Sequence, residues 1–287
     1  MLPNFLIIGS MKSGTSSLYT YLRAHPQVFM PEGKEPHYFT YGIKAGRGSD
    51  WYESRFAGAE GALALGEAST SYSNFPLERD VPKRIAACLP DARLVYIVRQ
   101  PVERMRSQWV NRVARGGETR PIDRALVEDE VYLAYSRYGL QIRQYLRFFS
   151  REQILVLKSE ELRDARRETL RRVFDFLQVD PDWWSPQLEL EHNVSAPKRQ
   201  PRATVRKIRG VGVYLTVRSR TPSPVWDPVF GILSRPIDPG STVPSLDTRR
   251  RVESLLRDDV AEFVRLVGDG FEPWGMLERD RQPTDAA

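Results

Sequence analysis

The sequence predicts an α/β domain built on a parallel, doubly wound sheet flanked by helices. Three observations carry that expectation. Short, continuous apolar runs recur at 5–8, 63–65, 94–98 and 154–157, as in strands buried on both faces. Segments at 83–89, 102–113, 141–149 and 167–177 place apolar residues three and four apart, as helices covering a sheet do. The two kinds of segment alternate along the chain, which is the pattern of parallel crossover connections.

The first run, 5–8, lies between Pro3 and Gly9, and a helix over 16–23 follows until Pro26 stops it. The run at 63–65 is followed by Glu67, which places that carboxylate at the carboxyl edge of the sheet, where open α/β sheets bind ligands. The run at 94–98 ends in Arg99-Gln100. Residues 1–184 thus form the α/β core of a single domain spanning 1–287. Residues 185–246 are rich in proline and arginine, with apolar patches at 211–217 and 225–233, and read as a loop-rich lid or acceptor segment. A last helix over 247–267, with Val252, Leu255, Leu256, Val260, Phe263, Leu266 and Val267 in one stripe, packs 247–278 back on the core.

Composition narrows the class of protein. Apolar residues make up 41% and charged residues 28% of the 287, which is globular rather than disordered, collagenous or membrane-spanning. One cysteine, Cys88, and three histidines exclude an internal disulfide and the usual structural zinc cage. The opening residues carry no basic leader, and no apolar run approaches the ~20 residues a membrane helix needs, so the expected location is cytoplasmic. The net charge of +6 is supplied mostly by arginine, whose fork suits phosphate and sulfate.

The most informative stretch is Gly9-Ser10-Met11-Lys12-Ser13-Gly14-Thr15-Ser16-Ser17, between the first strand and the first helix. Such a turn aims backbone N–H groups and the positive end of a helix dipole at one point, and Lys12 and the hydroxyls of Ser13, Thr15, Ser16 and Ser17 add donors. An anion fits there. The strict nucleotide-triphosphate pattern is not met, because the lysine precedes the second glycine and Thr15 stands in its place. Arg99 also occupies the strand end where a magnesium-binding carboxylate belongs, so the site is suited to a phosphate held by cations, with no metal.

This combination resembles the sulfotransferases that use 3′-phosphoadenosine 5′-phosphosulfate (PAPS), most closely the glycan-modifying, heparan sulfate type, as a soluble bacterial-type member. Residues 12–18 resemble the 5′-phosphosulfate loop, and residues 99–107 resemble the 3′-phosphate motif. The likeness continues at Glu35-Pro36-His37-Tyr38-Phe39, at Gly66-Glu67-Ala68-Ser69, at Tyr72 and Tyr138, and at 271–274. It implies a P-loop-like nucleotide-binding fold. It also implies that Lys12, Ser13, Gly14, Thr15, Ser16 and Ser17 hold the 5′-phosphosulfate, and that Arg99 and Ser107 hold the 3′-phosphate. Lys198, Arg199 and Arg202 resemble a late basic segment that closes over the nucleotide. The product is adenosine 3′,5′-bisphosphate.

Sulfuryl transfer to a hydroxyl needs a base and cations where negative charge develops. Lys12 is the cation. Pro36 favours extended backbone at Glu35, so Glu35 and His37, two apart, face one site. The resemblance gives Glu35 the base role and His37 a supporting or alternative one, with Glu35, Glu67 and Tyr138 on the acceptor side. Ala68 stands where heparan sulfate members carry a lysine, which favours another acceptor, saccharide or lipid. No nucleic-acid partner is expected, and the basic lobe leaves room for a homodimer. Two rivals stay open at this stage: a small-molecule kinase with a divergent phosphate loop, and a non-catalytic module for polyanions.

Overall fold

The computed structural model describes residues 1–190, 198–201, 234–268 and 270–277. Five strands form one sheet: β1 (Phe5–Gly9), β2 (Val28–Phe29), β3 (Ala64–Ala68), β4 (Arg93–Val98) and β5 (Ile154–Lys158), in the order β2-β3-β1-β4-β5. Every pairing in it is parallel, with Leu6 beside Glu67 on one side and Leu94 on the other. From β1 the chain runs through β2 to β3 on one side, and from β3 it crosses to β4 on the other side of β1. The carboxyl end of β1 is therefore the switch point at which such sheets bind ligands.

Alternation along the strands divides the core into two layers. Phe5, Ile7, Val95 and Ile97 pack under α1 (Thr15–Ala24), with a later helix, Arg166–Leu177, beside it. Leu6, Ile8, Leu94, Tyr96 and Val98 face the other layer, with Ile85 and Ile142. That layer includes the helices Val81–Cys88 and Tyr138–Tyr145 and part of the long Leu246–Val267 helix. Among the described residues no helix is long and apolar enough to cross a membrane.

The four apolar runs lie in strands, as the sequence predicts, and the six expected helices are present within a few residues of their expected ends. Three differences matter for the site. The strand expected at 63–65 runs on through Ala68, so Glu67 lies within β3 and not beyond it. β2 has two residues, too few to show a period. Glu35 and His37 are not extended, since both take left-handed backbone, at φ 67° and 52°. Within the expected lid, β6 (Arg199–Pro201) pairs antiparallel with β7 (Ser234–Pro236). Arg202 and the patches at 211–217 and 225–233 lie outside the described residues.

Candidate active site

The loop after β1 is shaped by its glycines. A Cβ at Gly9 would collide with the Ser73 hydroxyl, so only glycine lets β1 end against the turn that follows β3. Gly14, at φ 94°, stands at the start of α1, and no side chain caps that helix. The first turn of α1 thus has no side-chain cap, whereas the helix Pro101–Ala114 (α4 in the count α2 Ser49–Ser54, α3 Val81–Cys88) is capped by the Gln100 side chain. Ser10 and Ser13 bridge the loop at 2.6 Å.

Lys12 sits at the centre of a group of cations. Its amine is pushed down to about 8, first by burial and then by the positive charges of Lys198, Arg115 and Arg99. Arg99 follows β4, and its guanidinium donates to the Lys12 carbonyl at 3.5 Å, the edge of hydrogen-bond range. The turn carrying it is fixed from two sides: the Tyr138 hydroxyl donates to the Arg99 carbonyl at 2.7 Å, and the Gln100 N–H donates to Glu160 at 3.0 Å. Like charges brought together in a partly buried place repel, and a polyanion relieves that repulsion.

A second cluster of charged and polar groups is assembled from the 34–40 segment and the hydroxyl-rich turn after β3. Glu35 Oε2 meets His37 Nε2 at 3.2 Å, and Glu35 Oε1 accepts from Lys34 Nζ at 3.1 Å and from the Thr70 hydroxyl at 3.2 Å. Burial alone would raise the Glu35 carboxyl, but the His37 and Lys34 contacts hold it down to about 2. His37 is braced from behind, with Nδ1 2.7 Å from the Ser71 hydroxyl and its N–H donating to Ser69 Oγ. Left-handed backbone at two non-glycine residues, tied down by this network, is the kind of strain that surrounding structure must enforce. It turns Glu35 and His37 toward each other, which extended backbone was expected to do.

Glu67 is 1% exposed. Burial pushes its carboxyl up to about 7, even though hydroxyls of Tyr72 (2.5 Å), Ser69 (2.9 Å) and Tyr52 (3.3 Å) all donate to it. It anchors the floor of the site and does not line it. Tyr138 is likewise fully buried and holds the Arg99 turn. Both were expected to contact the acceptor; the structure buries both side chains, Glu67 within β3 and Tyr138 at the start of its helix.

Ser13, Thr15, Ser16 and Ser17 all lie on the loop or the first turn of α1, and Ser107 lies half-buried on α4. Lys198 comes close enough to Lys12 to act on its amine, while Arg199 is tied to Ser234, with Nε 2.8 Å from its hydroxyl. Next to the β6–β7 pair, the Ile237 N–H donates to the Lys198 carbonyl at 2.9 Å. Sequence reasoning gave no site role to Lys34, Arg115, Ser69, Thr70 or Ser71. Lys34 was readable as a loop charge next to Glu35; only the fold shows its amine 2.9 Å from Thr15 Oγ1 and 3.0 Å from Ser16 Oγ. Among the described residues no three His, Cys, Asp or Glu side chains are grouped to hold a metal.

Residues 2–200 match the sulfotransferase domain. The chain belongs to the sulfotransferase family. This sulfotransferase is 39% identical over 111 residues, 38% of its length, to the membrane-associated sulfotransferase kil1 of Dictyostelium discoideum, of which it covers 22%. It is 32% identical over 184 residues, 61% of its length, to human heparan sulfate glucosamine 3-O-sulfotransferase 6, of which it covers 52%. The chain therefore spans about half or less of these curated relatives. Its fold superposes on a sulfotransferase from Alicyclobacillus acidocaldarius with a TM-score of 0.69, at 25% identity over 96% of this chain and 99% of that one.

Proposed function

We propose that this sulfotransferase moves a sulfuryl group from PAPS to a hydroxyl of a glycan or glycolipid acceptor, by direct in-line displacement. The observation that carries the reading is the position of Lys12. Its amine lies among Lys198, Arg115 and Arg99, in the uncapped turn that leads into α1. A donor with a 5′-phosphosulfate and a 3′-phosphate matches that distribution of charge. The loop hydroxyls and Lys12 take the 5′ end; Arg99 and Ser107 take the 3′-phosphate; Lys198 covers the donor. The saccharide acceptor is supported by the likeness to heparan sulfate glucosamine 3-O-sulfotransferase 6.

In the reaction the acceptor oxygen attacks sulfur while the bond from sulfur to the bridging phosphate oxygen breaks. Glu35 takes the hydroxyl proton, and Lys12 offsets the charge that builds on the departing phosphate. His37, braced by Ser71, orients the Glu35 carboxylate. The test is mass spectrometry of a panel of hydroxyl-bearing saccharides, glycolipids and phenols incubated with PAPS. Added sulfate on a saccharide or glycolipid supports the reading. Sulfate on phenols alone overturns the acceptor class, and sulfate on none of them, with no PAPS bound, overturns the donor.

A further inference from the structure

Lys34 belongs to neither half of the site alone. Its amine donates to Thr15 Oγ1 at 2.9 Å and Ser16 Oγ at 3.0 Å on the donor loop, and to Glu35 Oε1 at 3.1 Å on the acceptor side. Its side chain is only 17% exposed, so these three oxygens are its main surroundings. Burial lowers its amine, and the carboxylates of Glu35 and Glu67 work against that shift and favour the ammonium.

In-line transfer puts the leaving oxygen, the sulfur and the attacking oxygen on one line. The loop hydroxyls mark the leaving end of that line and Glu35 marks the attacking end. A cation within hydrogen-bond distance of both lies beside the middle, where the sulfuryl oxygens are. We infer that Lys34 is a catalytic residue that grips the sulfuryl group during transfer and, in turning to it, lets go of Glu35, so that loading of the donor frees the base. This inference rests on the sulfotransferase reading and goes beyond it.

The release has a clear chemical sense. Without donor, the Glu35 carboxylate is held by Lys34, His37 and Thr70, which makes it a poor proton acceptor. The charged and titratable groups around this pair are Lys34, His37 and, beneath them, Glu67. When three sulfuryl oxygens draw the Lys34 ammonium away, Glu35 keeps His37 and Thr70 and gains basicity. The acceptor proton then passes to Glu35 as the new sulfur–oxygen bond forms and the old one breaks; the electron pair of the broken bond stays on the phosphate oxygen of adenosine 3′,5′-bisphosphate.

The product lacks the sulfuryl group, so the two nucleotides separate the roles. Calorimetric titration of PAPS and of adenosine 3′,5′-bisphosphate into wild type, Lys34→Met and Lys34→Arg needs no acceptor. Lys34→Met is expected to weaken PAPS about tenfold while leaving the bisphosphate within about twofold, and Lys34→Arg is expected to recover most of the loss. Equal weakening of both nucleotides, or of neither, overturns the inference while wild-type binding leaves the donor assignment standing. Failure of wild type to bind either nucleotide overturns the donor assignment itself. A second measurement needs no variant: by carbon NMR, the Glu35 carboxyl should titrate at higher pH with PAPS bound than with the bisphosphate, and identical titrations contradict the release of Glu35.

Discussion

The two charged clusters, one around Lys12 and one around Glu35, are built on opposite electrostatic principles. Around Lys12 positive groups crowd together, and burial with the charges of Lys198, Arg115 and Arg99 lowers the Lys12 amine, so this cluster would be relieved by an anion. Around Glu35 every charge is matched: carboxylate with lysine and histidine, histidine with serine, and all of it resting on the buried Glu67 and its three hydroxyl donors. The contrast teaches which side depends on its ligand. The Lys12 cluster calls for a counter-charge, whereas the Glu35 cluster is held in place by its own hydrogen bonds and ion pairs.

The largest effect expected from breaking this contrast is at Glu35. Glu35→Gln should lower transfer about 10²–10⁴-fold while leaving the affinity for adenosine 3′,5′-bisphosphate within about twofold, as initial rates and calorimetry would show. Unchanged turnover removes Glu35 as the base. Lys12→Met should cost about 10²–10³-fold in transfer, with bisphosphate affinity reduced in the same variant, because Lys12 serves both binding and the departing charge. An intact affinity would move Lys12 out of the donor site.

Glu67 sharpens the comparison through stability. Its carboxyl is near 7 in the folded chain and near 4.5 when exposed, so between those values the folded state keeps a proton that the unfolded state releases. Stability should therefore fall as pH rises from about 4.5 to 7, and Glu67→Gln should flatten that slope in thermal melts. The smallest effect is at Tyr138. Tyr138→Phe removes the bond to the Arg99 carbonyl and should cost about 1 kcal/mol of stability, measured by urea unfolding.

Much of the frame was legible in the sequence because buried parallel strands read as apolar runs. Phe5 to Ile8 and Leu94 to Val98 needed no tertiary information, and the donor loop was visible as a glycine-bounded turn leading into a helix. Glu67 was rightly expected near the carboxyl end of a strand, but its burial was not legible, for a physical reason. A carboxylate reads as a strand end, and only Tyr52, Ser69 and Tyr72, brought in from two segments, make its burial tolerable. The pairing of Glu35 with His37 was foreseen, but through extended backbone. The positive φ at both residues depends on contacts with Ser69, Thr70 and Ser71, which local spacing does not carry. Lys34 was hidden for the same reason, since its partners Thr15 and Ser16 are brought to it by the fold.

The central claim is that the cations around Lys12 await a nucleotide phosphorylated at both ends of its ribose. Calorimetry with adenosine 3′,5′-bisphosphate and adenosine 5′-monophosphate tests it most directly. The bisphosphate should bind at least about tenfold tighter, and Arg99→Ala should erase the difference. Equal affinity of the wild-type chain for the two nucleotides would contradict the claim.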